Sequence, residues 1–126
     1  PSASRLQAME ATPGVPLPFL PAGELGHDVL GDGTVVLVAL NGHQDGHVGV
    51  LVQTSGGPVL YAVDTAWTAK GYREGRLPPA PLRWVVSNPQ DVLDACATVR
   101  RAEELGYPVV LCHEPQSTPW DMREVP

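Results

Sequence analysis

GDGTVVLVALNGHQDGHVGVLVQTSGGPVLYAVDTAW, residues 31–67, decides how the chain folds. Gly31-Asp32-Gly33 is a turn signal, because glycine enters positive φ without a Cβ penalty. The β-branched run TVVLVAL (34–40) then reads as a strand, and so do GVLVQT (49–54) and PVLYAVD (58–64). Ser55-Gly56-Gly57 is short and glycine-rich enough to close a hairpin between the last two. Three strands in quick succession predict an antiparallel meander.

On the N-terminal side, residues 1–30 are rich in Pro and Gly and give no clean period. They read as an irregular lead-in with room for a short helix over 4–10, since prolines fix φ and remove donors. On the C-terminal side, TAKGYREGRLPPAPL (68–82) reads as an irregular connector and RWVV (83–86) as a short strand. Asn88-Pro89-Gln90-Asp91 is a helix start, with Asn as N-cap and Pro at the first helical position. Val92, Cys96, Val99, Ala102 and Leu105 recur at three- and four-residue intervals and predict one apolar helix face. Gly106 stops that helix as a left-handed cap. YPVVLC (107–112) follows as a buried strand with His113 at its end, and residues 116–126 form a tail. Helix-then-strand after antiparallel strands predicts an α/β (α+β) fold in a single domain over 1–126.

The composition narrows the function classes. A chain of 126 residues can bury a core of its own. No run approaches the roughly 20 apolar residues that span a bilayer, so no membrane role is expected. A net charge of −6 with scattered Lys and Arg argues against nucleic acid as a partner. Cys96 and Cys112 make no disulfide framework, so a reduced, cytoplasmic setting is the expectation. The start has no initiator Met and no signal-peptide pattern, which suggests a processed chain or a piece of a longer one.

His47, Asp64 and His113 each fall at or just past a predicted strand end. Strand ends can converge on one edge of a layered fold, and imidazole nitrogens with a carboxylate suit Zn²⁺ and similar ions. Each also has a plainer reading, as a turn histidine, a strand-end cap and a histidine bonded to a backbone carbonyl. Spacing alone leaves both readings open. The only other histidines are His43, in the same turn as His47, and His27.

The order of these residues resembles the second half of the metallo-β-lactamase-fold hydrolases: a GDG turn, a strand, GHxxGH, a hairpin, and a strand ending in an aspartate. VVLCHEP looks like that family's final strand with its last histidine. Within the superfamily, DTAWTAKGYREGRLP, a helix and VVLCHEP look most like the N-acyl homoserine lactone lactonases. The resemblance implies the C-terminal half of an αββα sandwich and two divalent metal ions, Zn first, with Fe, Mn or Co possible. It implies metal-ligand roles for His47, Asp64 and His113, with Asp64 catalytic as the bridge between ions held roughly 3.5–4 Å apart. A metal-bridging hydroxide would then attack a small-molecule ester or lactone. The resemblance implies that His43, the first histidine of the pair, is not a ligand, and it reads as a residue that stabilises the turn or supports the ligands from behind. Trp67 stands where the lactonases carry a catalytic Tyr, and an indole can donate a hydrogen bond but not act as a phenol. Tyr72, further along the connector, is a second residue considered for the pocket.

The family's HxHxDH motif belongs to the first half of the fold and is absent from this sequence. Counting ligands, one ion would have His47 and Asp64, the other Asp64 and His113. A Zn²⁺ site wants about three protein ligands with water, or four. The expected partner is therefore a complementary N-terminal half carrying HxHxDH, as a separate chain, a cleaved piece or a missing segment, or else self-association. Without it, one sheet face would stand in water as an apolar patch. The alternative functions are a non-catalytic remnant that binds a partner and an iron-holding redox relative of the fold. Alternation along the last strand points Cys112 away from His113 and into the core, and Cys96 lies on the apolar helix face.

Overall fold

In the computed structural model the described residues are 13–41, 46–63, 65, 69–75 and 89–112. The meander is present where the β-branched runs predict it: Val35–Ala39 (β3), Val48–Thr54 (β4) and Gly57–Val63 (β5). β3 pairs antiparallel with β4, and β4 with β5. The β4–β5 connection turns at Ser55-Gly56, with Gly57 at φ 111°. There the Thr54 hydroxyl donates to the Gly57 carbonyl at 2.7 Å.

The lead-in is not wholly irregular. It contributes two short strands, Gly14–Val15 (β1) and Gly26–Asp28 (β2), which extend the meander antiparallel along the β3 edge. Close packing explains why pattern reading missed β2: a Cβ on Gly26 would meet Val36 Cγ1 at 2.5 Å, so only glycine fits. The helix considered over 4–10 and the strand over 83–86 lie outside the described residues.

The connector is corrected as well, because Ala69–Glu74 forms a short helix (α1). A second helix, α2, runs Pro89–Glu104. Its buried face is Val92, Ala95, Cys96, Thr98, Val99 and Ala102, an i, i+3, i+4 stripe. Leu105, expected on that stripe, is 53% exposed, because the helix has already ended. Gly106, at φ 94°, donates to the Glu103 carbonyl while Tyr107 N–H reaches the Ala102 carbonyl, each at 3.0 Å. That bond pair is a Schellman cap. Val109–Leu111 (β6) then joins β5 in parallel, completing a six-stranded sheet in the order β1 to β6.

The core lies between one face of this sheet and α2. Val36, Val38, Leu40, Leu51, Leu60, Ala62 and Leu111 form one cluster with the buried helix stripe, with Tyr72 of α1 and with Phe19. Phe19 also meets Tyr107 edge-on, ring centroids 5.1 Å apart, which ties the lead-in to the approach to β6. On the opposite face, cross-strand pairing sets Leu37, Val50, Tyr61 and Val110 in one row across β3, β4, β5 and β6. These four are half-buried or exposed. Among the described residues, no helix is long and apolar enough to cross a membrane.

Asp28 shows how the GDG turn is held. Its buried carboxylate accepts the Gly31 N–H at 2.9 Å and the Gly33 N–H at 2.8 Å, and both glycines have positive φ. An Asp28→Asn substitution keeps the shape but turns an amide donor toward one of these N–H groups. Equilibrium urea unfolding is expected to show a loss of about 1–3 kcal/mol, the cost of an unsatisfied buried donor. An unchanged midpoint would mean the turn is held by its glycines alone.

Candidate metal centre

The described end of β4 supplies one candidate ligand directly. His47 precedes Val48 and faces Leu40 across the β3–β4 turn: Leu40 N–H donates to the His47 carbonyl at 2.9 Å. His47 Nδ1 lies 2.7 Å from the Leu40 carbonyl oxygen. A carbonyl can only accept, so Nδ1 carries the hydrogen, and it is Nε2 whose lone pair can serve a metal. Metal-binding histidines are oriented in this way, one ring nitrogen tied to an acceptor and the other turned to the ion. The donor chemistry of His47 therefore fits a divalent metal. Asn41, at the start of the same turn, accepts the Gly46 N–H through Oδ1 at 2.9 Å.

Asp64, His113, His43 and Trp67 lie outside the described residues, but the residues flanking Asp64 and preceding His113 do not. Val63 C=O, at the end of β5, accepts the Cys112 N–H at 2.9 Å, just past β6. Positions 64 and 113 are thus each one residue beyond a hydrogen-bonded pair of parallel strands. On the other side of β5, Val50 is opposite Tyr61 in the antiparallel register. The start of β4 and the ends of β5 and β6 share one rim of the sheet. Among the described residues, no group of three or more His, Cys, Asp or Glu side chains could hold a metal.

Two features beside position 64 have no signal in the sequence. Val63 has φ 53°, a left-handed conformation rarely adopted by a β-branched residue. Thr65 is buried, and both its N–H (3.1 Å) and its hydroxyl (2.8 Å) donate to the Ala62 carbonyl. Nothing in YAVDT distinguishes this turn from a strand running on, since Val and Thr are both strand formers.

Tyr72 has a different setting from the strand-end rim. It is buried at the α1–α2 contact, and its hydroxyl donates to the Glu103 carboxylate. Arg73 grips the same carboxylate with Nε at 2.6 Å and Nη2 at 2.9 Å. Burial, and then the bond to Glu103, push the phenol's pKa up, so it stays protonated as a donor. Arg73 holds the Glu103 carboxyl below its usual range. A depressed carboxylate pKa stabilises the fold at neutral pH, and that contribution fades as pH falls through the lowered value. It is modest, because Arg73 is half exposed.

The two cysteines divide against expectation. Cys96 is buried as predicted, and burial pushes its thiol up to about 11. Cys112, expected in the core, is exposed, because β6 ends at Leu111 and alternation no longer governs the next residue. Iodoacetamide at neutral pH should therefore label one thiol per folded chain, at Cys112, and both after denaturation. Peptide mapping checks this, and rapid labelling of Cys96 in the folded chain would contradict the packing described above.

No family profile matches the chain. It is 33% identical over 95 residues to the N-acyl homoserine lactonase AttM of Azorhizobium caulinodans, a match over 74% of this chain and 34% of that protein. One solved structure is an N-acyl homoserine lactone hydrolase with its product, N-hexanoyl-L-homoserine, bound at the catalytic metal centre. It is similar to this chain with a TM-score of 0.57 at 18% identity, over 73% of this chain and 34% of that one. A quorum-quenching N-acyl homoserine lactone lactonase gives a TM-score of 0.53 at 18% identity, over 65% and 32%. The chain spans about a third of the length of the curated relative it matches.

Proposed function

From a chain that is similar in sequence to the N-acyl homoserine lactonases and built on part of the metallo-β-lactamase fold, we propose that it is one half of a dinuclear metal hydrolase. His47, Asp64 and His113 would hold the metal, with Asp64 as the carboxylate shared between the two sites. Zn²⁺ is the first choice, and Fe, Mn or Co suit the same nitrogen and oxygen donors. When bound, the ions supply Lewis acidity and an activated water for opening an ester or lactone.

The observation that supports this reading is the shared rim: the start of β4, next to His47, and the ends of β5 and β6, joined by the Val63–Cys112 hydrogen bond, lie at one edge of the sheet. His47 keeps its proton at Nδ1 against the Leu40 carbonyl, which leaves Nε2 as the basic nitrogen. The lactone class comes from the relatives by likeness.

The remaining ligands come from a complementary half carrying HxHxDH. The row of Leu37, Val50, Tyr61 and Val110 supports that need, because it offers an apolar sheet face opposite the helices for another layer to cover. Co-expression with such a half, followed by native mass spectrometry and metal analysis, tests the reading. The expected result is a two-polypeptide complex with close to two metal ions that hydrolyses an N-acyl homoserine lactone. A folded, metal-free monomer that ignores the complementary half would overturn it.

A further inference from the structure

We infer that Asn41 is a positioning residue for His47, its side chain stapling the turn between β3 and β4 so that the imidazole stays on the Leu40 carbonyl; the inference rests on the metal-centre reading above. Leu40 and Asn41 enter this turn from β3, and Gly46 and His47 leave it toward β4. Three hydrogen bonds join the two sides. Leu40 N–H donates to the His47 carbonyl at 2.9 Å, His47 Nδ1–H to the Leu40 carbonyl at 2.7 Å, and Gly46 N–H to Asn41 Oδ1 at 2.9 Å. Of these three, only the last uses a side chain other than that of the candidate ligand.

The two sides are held unequally. Leu40 is fixed by the core: it is 1% exposed, and its side chain lies so close over Gly49 that a Cβ there would meet Leu40 Cδ1 at 2.6 Å. The carbonyl that receives the ring is therefore a fixed acceptor. Gly46 has no packing to hold it, since it is exposed and a Cβ built on it would meet nothing within 4 Å. Its φ of 79° is one that glycine enters freely and leaves as freely. The Asn41 amide oxygen supplies the restraint. One side chain thus ties the residue after Leu40 to the residue before His47. An imidazole whose Nδ1–H stays on a fixed carbonyl keeps its other nitrogen in one direction, which is the orientation a metal ligand needs before the ion arrives.

The tautomer of His47 in the full, metal-free chain tests this, read by long-range proton–nitrogen NMR of the imidazole. Spectra are taken at about pH 8, above the ordinary titration range of histidine, beside thermal unfolding of each variant. The parent should carry the hydrogen at Nδ1. Asn41→Ala and Asn41→Leu both remove the acceptor, one by truncation and the other at nearly the same size. Losing one hydrogen bond shifts a closed–open balance by about 2–10-fold, so the ratio of the Nδ1–H to the Nε2–H form should fall by about that factor. Asn41→Asp keeps an acceptor in the same place and should keep the parent's tautomer. A purely structural role for Asn41 predicts lower stability in the alanine variant and an unmoved tautomer. If the alanine variant does not fold, the leucine and aspartate variants decide. An unmoved tautomer without the acceptor, or an aspartate variant that behaves like the other two, overturns the staple.

Metal is read separately, in the proposed two-part assembly, as Co²⁺ affinity by competition with a chelator. Asn41→Ala should weaken it by about the same 2–10-fold factor. If His47→Gln strips Co²⁺ while Asn41→Ala binds it like the parent, the positioning role is wrong and the metal centre stands. If His47→Gln holds Co²⁺ as the parent does, the metal-centre reading fails and takes this inference with it.

Discussion

In the proposed two-part assembly, His47→Gln is expected to strip metal and to lower the proposed lactone hydrolysis by roughly 10²–10³-fold or more, the scale on which losing a single oriented electrostatic group slows catalysis. Glutamine approximates the reach of histidine and its amide can still donate to the Leu40 carbonyl, so the β3–β4 turn has no reason to open. What disappears is the basic Nε2. In the parent chain that nitrogen is defined by the bond at the other end of the ring, Nδ1 to Leu40 O at 2.7 Å. The loss should appear in kcat and in metal content together, since a ligand acts on the reacting centre and not on remote substrate binding. His27→Gln is the comparison: His27 belongs to β2, where its Nδ1 is buried without a hydrogen-bond partner, and it should leave metal content as it was. Equal metal and equal turnover in the His47 variant would remove the imidazole from the site and with it the proposed ligand set.

How much of this was legible depended on whether a local pattern carried the information. The meander was, because TVVLVAL, GVLVQT and PVLYAVD are β-branched, apolar runs separated by glycine turns that the structure keeps at positive φ. The end of α2 was, because Gly106 is the left-handed cap its sequence suggests. β2 was not, since Gly26 and Asp28 are poor strand formers and pairing there is set by the fit of Gly26 against Val36 and Leu17. α1 was not, because TAKGYREG is too polar to show a stripe and is held instead by the Tyr72 and Arg73 grip on Glu103, thirty residues away in sequence. At the candidate site, His47 could be named from its motif. The turn that flanks position 64 could not, because a valine at φ 53° gives no sign of itself in the sequence. Local rules fail there because the conformation is imposed by distant groups, the backbone at Cys112 and the thiol of Cys96.

Adjacent residues of β5 should report on two separate equilibria, and this gives the second large effect. Leu60 is fully buried in the core cluster under α2, so Leu60→Ala is expected to cost about 2–5 kcal/mol of folding stability, enough to unfold a chain of this size at moderate temperature. Tyr61, one residue on, faces the other way, in the row with Leu37, Val50 and Val110. Val50 lies in that row between Leu37 and Tyr61 and is half-buried in the chain alone. Val50→Asp should therefore cost the isolated chain little, because water reaches the carboxylate. Once a complementary layer covers the face, the same carboxylate is buried without a partner, a penalty of several kcal/mol. The apparent Kd for the complementary half should rise by at least about 10²-fold, while circular dichroism and thermal unfolding of the chain alone change little. Leu60→Ala gives the reverse pattern: loss of the folded chain, with no specific effect on association of the fraction that remains folded. If Val50→Asp binds its complement as tightly as the parent does, the apolar row is not the joining surface. If it unfolds the isolated chain, that row is already part of this chain's own core, and the need for a second layer disappears.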